Sequence, residues 1–217
     1  QALCYGRSAD GVGAVIEVAS GMRFGDFLKK EIFEPLGMND TDFWVPAEKQ
    51  DRLAKVYDCR EGQPSVRYLD NNLGIQNDMA YRPAYEAGGA GLASTIDDYA
   101  KFTQMLLNGG TYNGVQILRP ATVKFLGGHT LSAVQQAGFD NWIGLEGFSY
   151  GNLMRVLVDP TRAVTLGSKG EFGWDGWLGC YMEVVPEQNM TFLMMTQKKD
   201  AGTYTLSRKI RNIIFSE

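Results

Sequence analysis

A single histidine, His129, stands in this chain of 217 residues, inside the loop-like stretch "GGHTLS". Zinc chemistry therefore has almost no imidazole to draw on, and a Ser-His-Asp triad would have to use a residue that reads as a solvated loop position. The three cysteines, Cys4, Cys59 and Cys180, are odd in number and far apart, which suggests neither a disulfide framework nor a CxxC metal site. No apolar run approaches the roughly 20 residues needed to cross a bilayer. Nor does a charged start followed by an apolar segment mark a signal peptide. Blocks of like charge are missing as well. Lys and Arg number 21 against 25 Asp and Glu, a net charge of -4 with a pI near 5.2. Nucleic-acid binding is disfavoured, because such surfaces carry a basic face or stripe.

What is present is ordinary globular material, 44% hydrophobic, enough for one large domain or two small ones. "DGVGAVIEVAS" places Val12, Val15, Ile16 and Ala19 at the spacing of a helical face, with Gly21 as the stop. "RFGDFLKKEIF" predicts a second helix with Phe24, Phe27, Leu28 and Ile32 on one side, ended by Pro35. Residues 38–87, rich in Asn, Asp, Pro, Gln and Tyr, lack periodicity and read as a long irregular excursion of the kind that serves binding. Order returns at "GGAGLASTIDDYAKFTQMLLNGG": Ser94 is a candidate N-cap with Asp97 three residues on, and Ile96, Tyr99, Phe102, Met105 and Leu106 form a stripe. Pro120 occupies a first helical position. After Gly138 the pattern turns to strands, "NLMRVLV", "WLGCYMEVV" and "MTFLMMTQ", the last two a hairpin through "PEQN". "TLSRKIRNIIF" closes the chain as a helix with apolar Leu206, Ile210, Ile213 and Ile214. Three strands make a thin sheet, and some of its members are expected to be missing.

The stretch "GEFGWDGWLGCYMEVVPE" sets four glycines among Trp174 and Trp177 just before a strand-like run. Glycine permits close backbone approach, so the stretch reads either as a bulge closing a core or as bare N–H groups brought up to a ligand. Together with "YGRSADGVGAVIEVASGM", "IFEPLGMNDTDFWVP", "GGAGLASTIDDYAKFTQMLLNGG" and "GVQILRPATV", in this order, it resembles the serine β-lactamase-like family. That family includes class C β-lactamases, D-alanyl carboxypeptidases and related esterases. The similarity covers nearly the whole chain and looks closest to the esterase-like branch, where a Trp-x-Gly triplet stands in for Lys-Thr-Gly.

The resemblance implies an α+β fold of the β-lactamase/transpeptidase type: a helical lobe over 1–130, with the excursion at 38–87, and antiparallel strands with a closing helix over 131–217. It implies a fold incomplete at the N-terminus, because the family's nucleophilic Ser-x-x-Lys precedes the tyrosine motif and no serine here has Lys three residues on; Ser65 gives "SVRY", Ser94 "STID", Ser168 "SKGE" and Ser207 "SRKI". An N-terminal segment or second chain carrying Ser-x-x-Lys is therefore an expected partner, and this chain alone is expected to be inactive. Tyr5 falls at the catalytic tyrosine and Ser8 near the third position of that motif. Trp174, Asp175 and Gly176 fall on the third motif as substrate-binding residues, making the Trp177 backbone N–H a candidate oxyanion donor. Trp174 replaces a cation that holds substrate carboxylates in some relatives, and an indole forms no such ion pair. The expected activity is ester or amide hydrolysis through a serine acyl-enzyme, with no cofactor and no metal. β-Lactam or D-alanyl peptide hydrolysis ranks below it, and the rival is a non-catalytic binding domain of the same fold. By resemblance an envelope or secreted location is favoured, with a reducing compartment left open by the cysteines. Weaker candidates are "YGN" at Tyr150, the glycines 88, 89 and 91 as a phosphate loop, and Asp97 with Asp98 as an acid–base pair.

Overall fold

A computed structural model describes residues 6–142, 144–201 and 205–216. The first helix, α1 (Ser8–Ser20), ends on Gly21 in the left-handed region at φ 68°, as the sequence requires. The second helical stretch differs from expectation. It runs α2 (Phe24–Leu28), a π-helical turn Lys29–Phe33 and α3 (Glu34–Leu36), and so passes through Pro35. Proline lacks an N–H and its ring crowds the carbonyl one turn back; a wider π turn just before it relieves both. The excursion holds a 3-10 turn Ala47–Arg52 and a two-residue ladder, β1 (Tyr57–Asp58) with β2 (Val66–Arg67).

Helix α4 (Ile96–Leu107) is capped by Thr95, not Ser94: the Asp98 N–H donates to Thr95 Oγ1 at 3.2 Å. Ser94 instead shares a 2.7 Å hydrogen bond with Thr41. Thr95→Ala is expected to cost about 1 kcal/mol, read as a shift in urea midpoint, whereas Ser94→Ala leaves the cap intact. A small hairpin, β3 (Thr111–Tyr112) with β4 (Val115–Gln116), leads to α5 (Pro120–Gly128), where Pro120 is the first helical residue as expected. His129 follows, exposed, at its C-cap. Helix α6 (Ala133–Phe139) was not foreseen; it begins on a capping box between Ser132 and Gln135.

The sheet has five antiparallel strands rather than three, in the order β5 (Phe148–Gly151), β6 (Met154–Leu157), β7 (Phe172–Asp175), β8 (Tyr181–Val185) and β9 (Met190–Met194). "YGN" is the bend between β5 and β6: Asn152 and Leu153 take φ of 51° and 66°, the two positive values of a tight hairpin turn, so this motif is local geometry and not chemistry. The "PEQN" hairpin between β8 and β9 is present, with Asn189 at φ 50°.

Register separates the two faces. Val156, Phe172 and Val184 lie opposite one another and bury one face against Met105 and Leu106 of α4. Arg155, Gly173 and Glu183 form the other row, and α7 (Leu206–Ile214) reaches this side. Of the closing helix's apolar residues, Leu206 and Ile213 are more than half exposed, while Ile210 and Ile214 are half-buried. Ser207 and Arg211 are the residues it buries.

Candidate active site

The triplet is built by a strand that outruns its neighbour. β6 pairs with β7 only at Phe172 and Gly173, while β8 continues to pair with Trp174 and Asp175. Residues 174–176 therefore project past β6 with one backbone edge unladdered by it. The turn beyond is closed by Gly176 N–H to the Cys180 carbonyl at 2.8 Å and Gly179 N–H to the Gly176 carbonyl at 2.9 Å. Among the described hydrogen bonds none uses the Trp177 N–H as donor. Gly173 sits at a close approach of two strands. A Cβ there would lie 2.0 Å from the Met182 carbonyl, so this glycine lets β7 and β8 approach each other.

A cavity of about 510 Å³ lies between this limb and the segment that leads into α4. Trp174, Asp175 and Gly176 line one side; Ser94, Thr95, Tyr99 and the glycine loop 88–91 line the other. The loop is shaped by packing, not by phosphate: Gly89 N–H donates to Asp10 of α1 at 2.9 Å, and a Cβ on Gly88 would press on the Ala9 carbonyl. The start of α1, which carries exposed Ser8, is thereby held against the cavity's rim. Ser8 itself is not among the cavity's lining residues, and Tyr5 lies outside the described residues.

The Trp174 ring is backed by aromatics the sequence did not bring together. Tyr150 meets it edge-on at 5.0 Å and Trp142 lies at 6.5 Å, both resting on Phe139 of α6. Trp177 is fixed separately: its indole N–H donates to Asp200, and Tyr68 of the excursion abuts its ring at 5.8 Å. The excursion is thus tied to the turn beside the triplet, reinforced by Tyr57 N–H to the Gln197 carbonyl and Lys199 N–H to the Tyr57 carbonyl. Asp175 is half-buried and its carboxylate is taken by Arg155 at 3.0 Å. Asp97 and Asp98 do not form an acid–base pair. Asp98 is buried, accepts from the Asp40 N–H and Thr41 Oγ1, and pairs with Lys101, so it fastens the excursion to α4. At the cavity's other rim Lys49 and Arg52 both grip Asp40, whose carboxyl they hold near 2. Among the described residues no group of three His, Cys, Asp or Glu is placed to hold a metal ion, and no helix is long and apolar enough to cross a membrane.

Behind the triplet lies a buried charge cluster that went unread in the sequence, although charged Arg155 and Glu183 inside apolar strand runs were its signal. Arg211 pairs with Glu171 at 2.6 Å and with Glu183, and it also donates to Thr165, Leu166 and Tyr181. One cation between two carboxylates leaves a proton to be kept by one of them. Burial and the neighbouring Glu183 push the Glu171 carboxyl up to about 8, against the pull of Arg211. Glu183 is held below the ordinary range despite its burial, by Arg211 and the hydrogen bond from Glu171. The raised group binds a proton in the folded chain that the unfolded chain, titrating near 4.5, releases. Stability is therefore expected to fall as pH rises from about 4.5 to about 8 and to level off above, by at most about 1.4 kcal/mol per pH unit. Urea midpoints across this range check it, and Glu171→Gln is expected to flatten the slope.

A sheet with α4 on one face, a closing helix on the other, and a cavity at a projecting Trp-x-Gly limb defines the fold of serine β-lactamases and penicillin-binding proteins. The Beta-lactamase family model matches residues 7–213, and the chain belongs to that family. Protein Rv1367c of Mycobacterium tuberculosis is 30% identical over 200 residues, 89% of this chain and 48% of that protein. Lovastatin esterase of Penicillium rubens is 30% identical over 178 residues, 81% of this chain and 42% of that one. Among solved structures EstCE1, described as a hydrolase with promiscuous acyltransferase activity, superposes with a TM-score of 0.79 at 23% identity, over 99% of this chain and 56% of its own. The chain spans about half the length of the curated relatives it matches. Its fold is that of a serine-hydrolase family with esterase relatives.

Proposed function

We propose that these residues form the walls and the oxyanion limb of an ester- or amide-cleaving serine hydrolase, whose nucleophile comes from a Ser-x-x-Lys segment outside this sequence. The observation that carries the reading is the projecting limb: residues 174–176 border a cavity they share with β8 and β9, β6 gives them no backbone partner, and the next N–H, on Trp177, has no acceptor among the described hydrogen bonds. A fixed N–H aimed at the oxygen that becomes negative in acyl transfer lowers the barrier by about 3 kcal/mol. A serine inserted into this cavity would meet this limb. Tyr5, by its match to the tyrosine motif, would assist proton transfer. Its phenol, ordinarily near 10, needs an adjacent cation to act near neutrality, and the lysine of Ser-x-x-Lys would supply it.

Substrates without an essential carboxylate suit this site. Trp174 offers a stacking face instead of a cation, and the neighbouring Asp175 carboxylate is taken up by Arg155. The complete protein is expected to turn over p-nitrophenyl butyrate with a kcat/KM above that for the β-lactam nitrocefin, while the 217-residue chain alone turns over neither. Faster nitrocefin hydrolysis would move the assignment to β-lactams. Binding without turnover in the complete protein would favour the non-catalytic domain.

A further inference from the structure

The unladdered edge that makes the limb useful also deprives it of support. A strand end without backbone bonds on one side frays, yet an oxyanion donor must hold its direction. The structure shows what takes the ladder's place. Arg155 on β6 lies directly opposite Gly173, the last β7 residue that β6 pairs. Side chains two apart on a strand share a face, so Asp175 is the next residue of β7 on Arg155's side. With no side chain at Gly173 in the way, the guanidinium runs past it and donates from Nη1 to Asp175 Oδ1 at 3.0 Å. Its carbon lies 4.4 Å from the centre of the Tyr181 ring, and Tyr181 is the β8 partner of Asp175. Arg155 is 3% exposed, and its Nη2 has no hydrogen-bond partner among the described residues. The Asp175 bond is thus the polar anchor of this cation, and the pair joins β6 to the limb where the backbone ladder has stopped.

We infer that Arg155 is a positioning residue: through Asp175 it aligns residues 174–177 and so aims the Trp177 N–H. This rests on the oxyanion role proposed above, but the mechanical part is testable without catalysis. Hydrogen exchange by NMR in the 217-residue chain reads it at the Gly176 amide, whose bond to Cys180 closes the turn. Arg155→Met is expected to speed exchange at Gly176 about tenfold or more while the amides of Val184 and Val185 in β8 keep their protection. Arg155→Lys, which retains a buried cation able to reach Asp175, is expected to recover part of the protection and covers the case in which the methionine variant does not fold. In the complete protein Arg155→Met is expected to lower kcat about tenfold or more with KM within about twofold, since a misaimed donor harms the transition state more than substrate binding. Unchanged exchange at Gly176, or an equal rise at Gly176 and Val184, overturns the positioning role. An unsubstituted complete protein without ester turnover would defeat the hydrolase reading and leave the exchange result standing as its own test.

Discussion

Replacing Arg211 by methionine is expected to lower the unfolding free energy by about 3–5 kcal/mol, a large share of the roughly 5–15 kcal/mol a domain possesses. The guanidinium has five N–H donors, and the structure gives partners to all of its nitrogens: Thr165 at Nε, Tyr181 and Glu183 at Nη1, Leu166 and Glu171 at Nη2. Both carboxylates are about 1% exposed, so removing the cation leaves an ionised Glu183 and a protonated Glu171 facing each other without water. The cost comes from what is left unpaired, not from the bond that is lost. Accordingly the triple variant Arg211→Met, Glu171→Gln, Glu183→Gln is expected to regain much of the loss. Urea titrations of the three forms at one pH measure both effects; a single variant as stable as the parent would show that the cluster does not hold α7 to the sheet.

Exchanging the Trp177 amide for an ester in the complete protein is expected to lower kcat by about 10²–10³-fold, equivalent to roughly 2.7–4 kcal/mol. The change replaces one N–H by oxygen and keeps the indole with its contacts to Asp200 and Tyr68. On the oxyanion role proposed above, the donor meets charge that develops towards the transition state and is absent from the bound ester, so KM is expected to move little. The same exchange at Leu178, one residue further round the turn, serves as the control and is expected to leave kcat near the parent value.

The parts of the fold that were legible are those where one local rule decides. Gly21 and Pro120 mark helix boundaries by backbone chemistry alone, the α4 stripe is long enough to show its period, and "PEQN" supplies turn residues between two apolar runs. β5 and β7 are four-residue strands in which glycine, tryptophan and aspartate interrupt any alternation, so only their neighbours in the sheet define them. Helix α6 did announce itself, through Ser132 and Gln135 at capping-box spacing, but its Gly138 and the aromatic run after it read as the onset of strands. In α7 the apolar period was legible, but not that two buried glutamates make an arginine turn inward. The triplet was read from the family pattern. Its support, from Arg155 below and from Trp142 and Tyr150 behind, depends on pairing register and on contacts between elements far apart in sequence.

The cavity beside residues 174–176 is proposed as one half of an acyl-transfer site whose attacking hydroxyl lies on a segment not contained in these 217 residues. A fluorophosphonate probe, which bonds covalently to activated serines, tests it by mapping the modified residue with peptide mass spectrometry. The account predicts no labelling of the 217-residue chain by itself, and in the complete protein a single labelled serine within Ser-x-x-Lys, outside this sequence. Labelling of any serine between Ser8 and Ser216 in the isolated chain would contradict it.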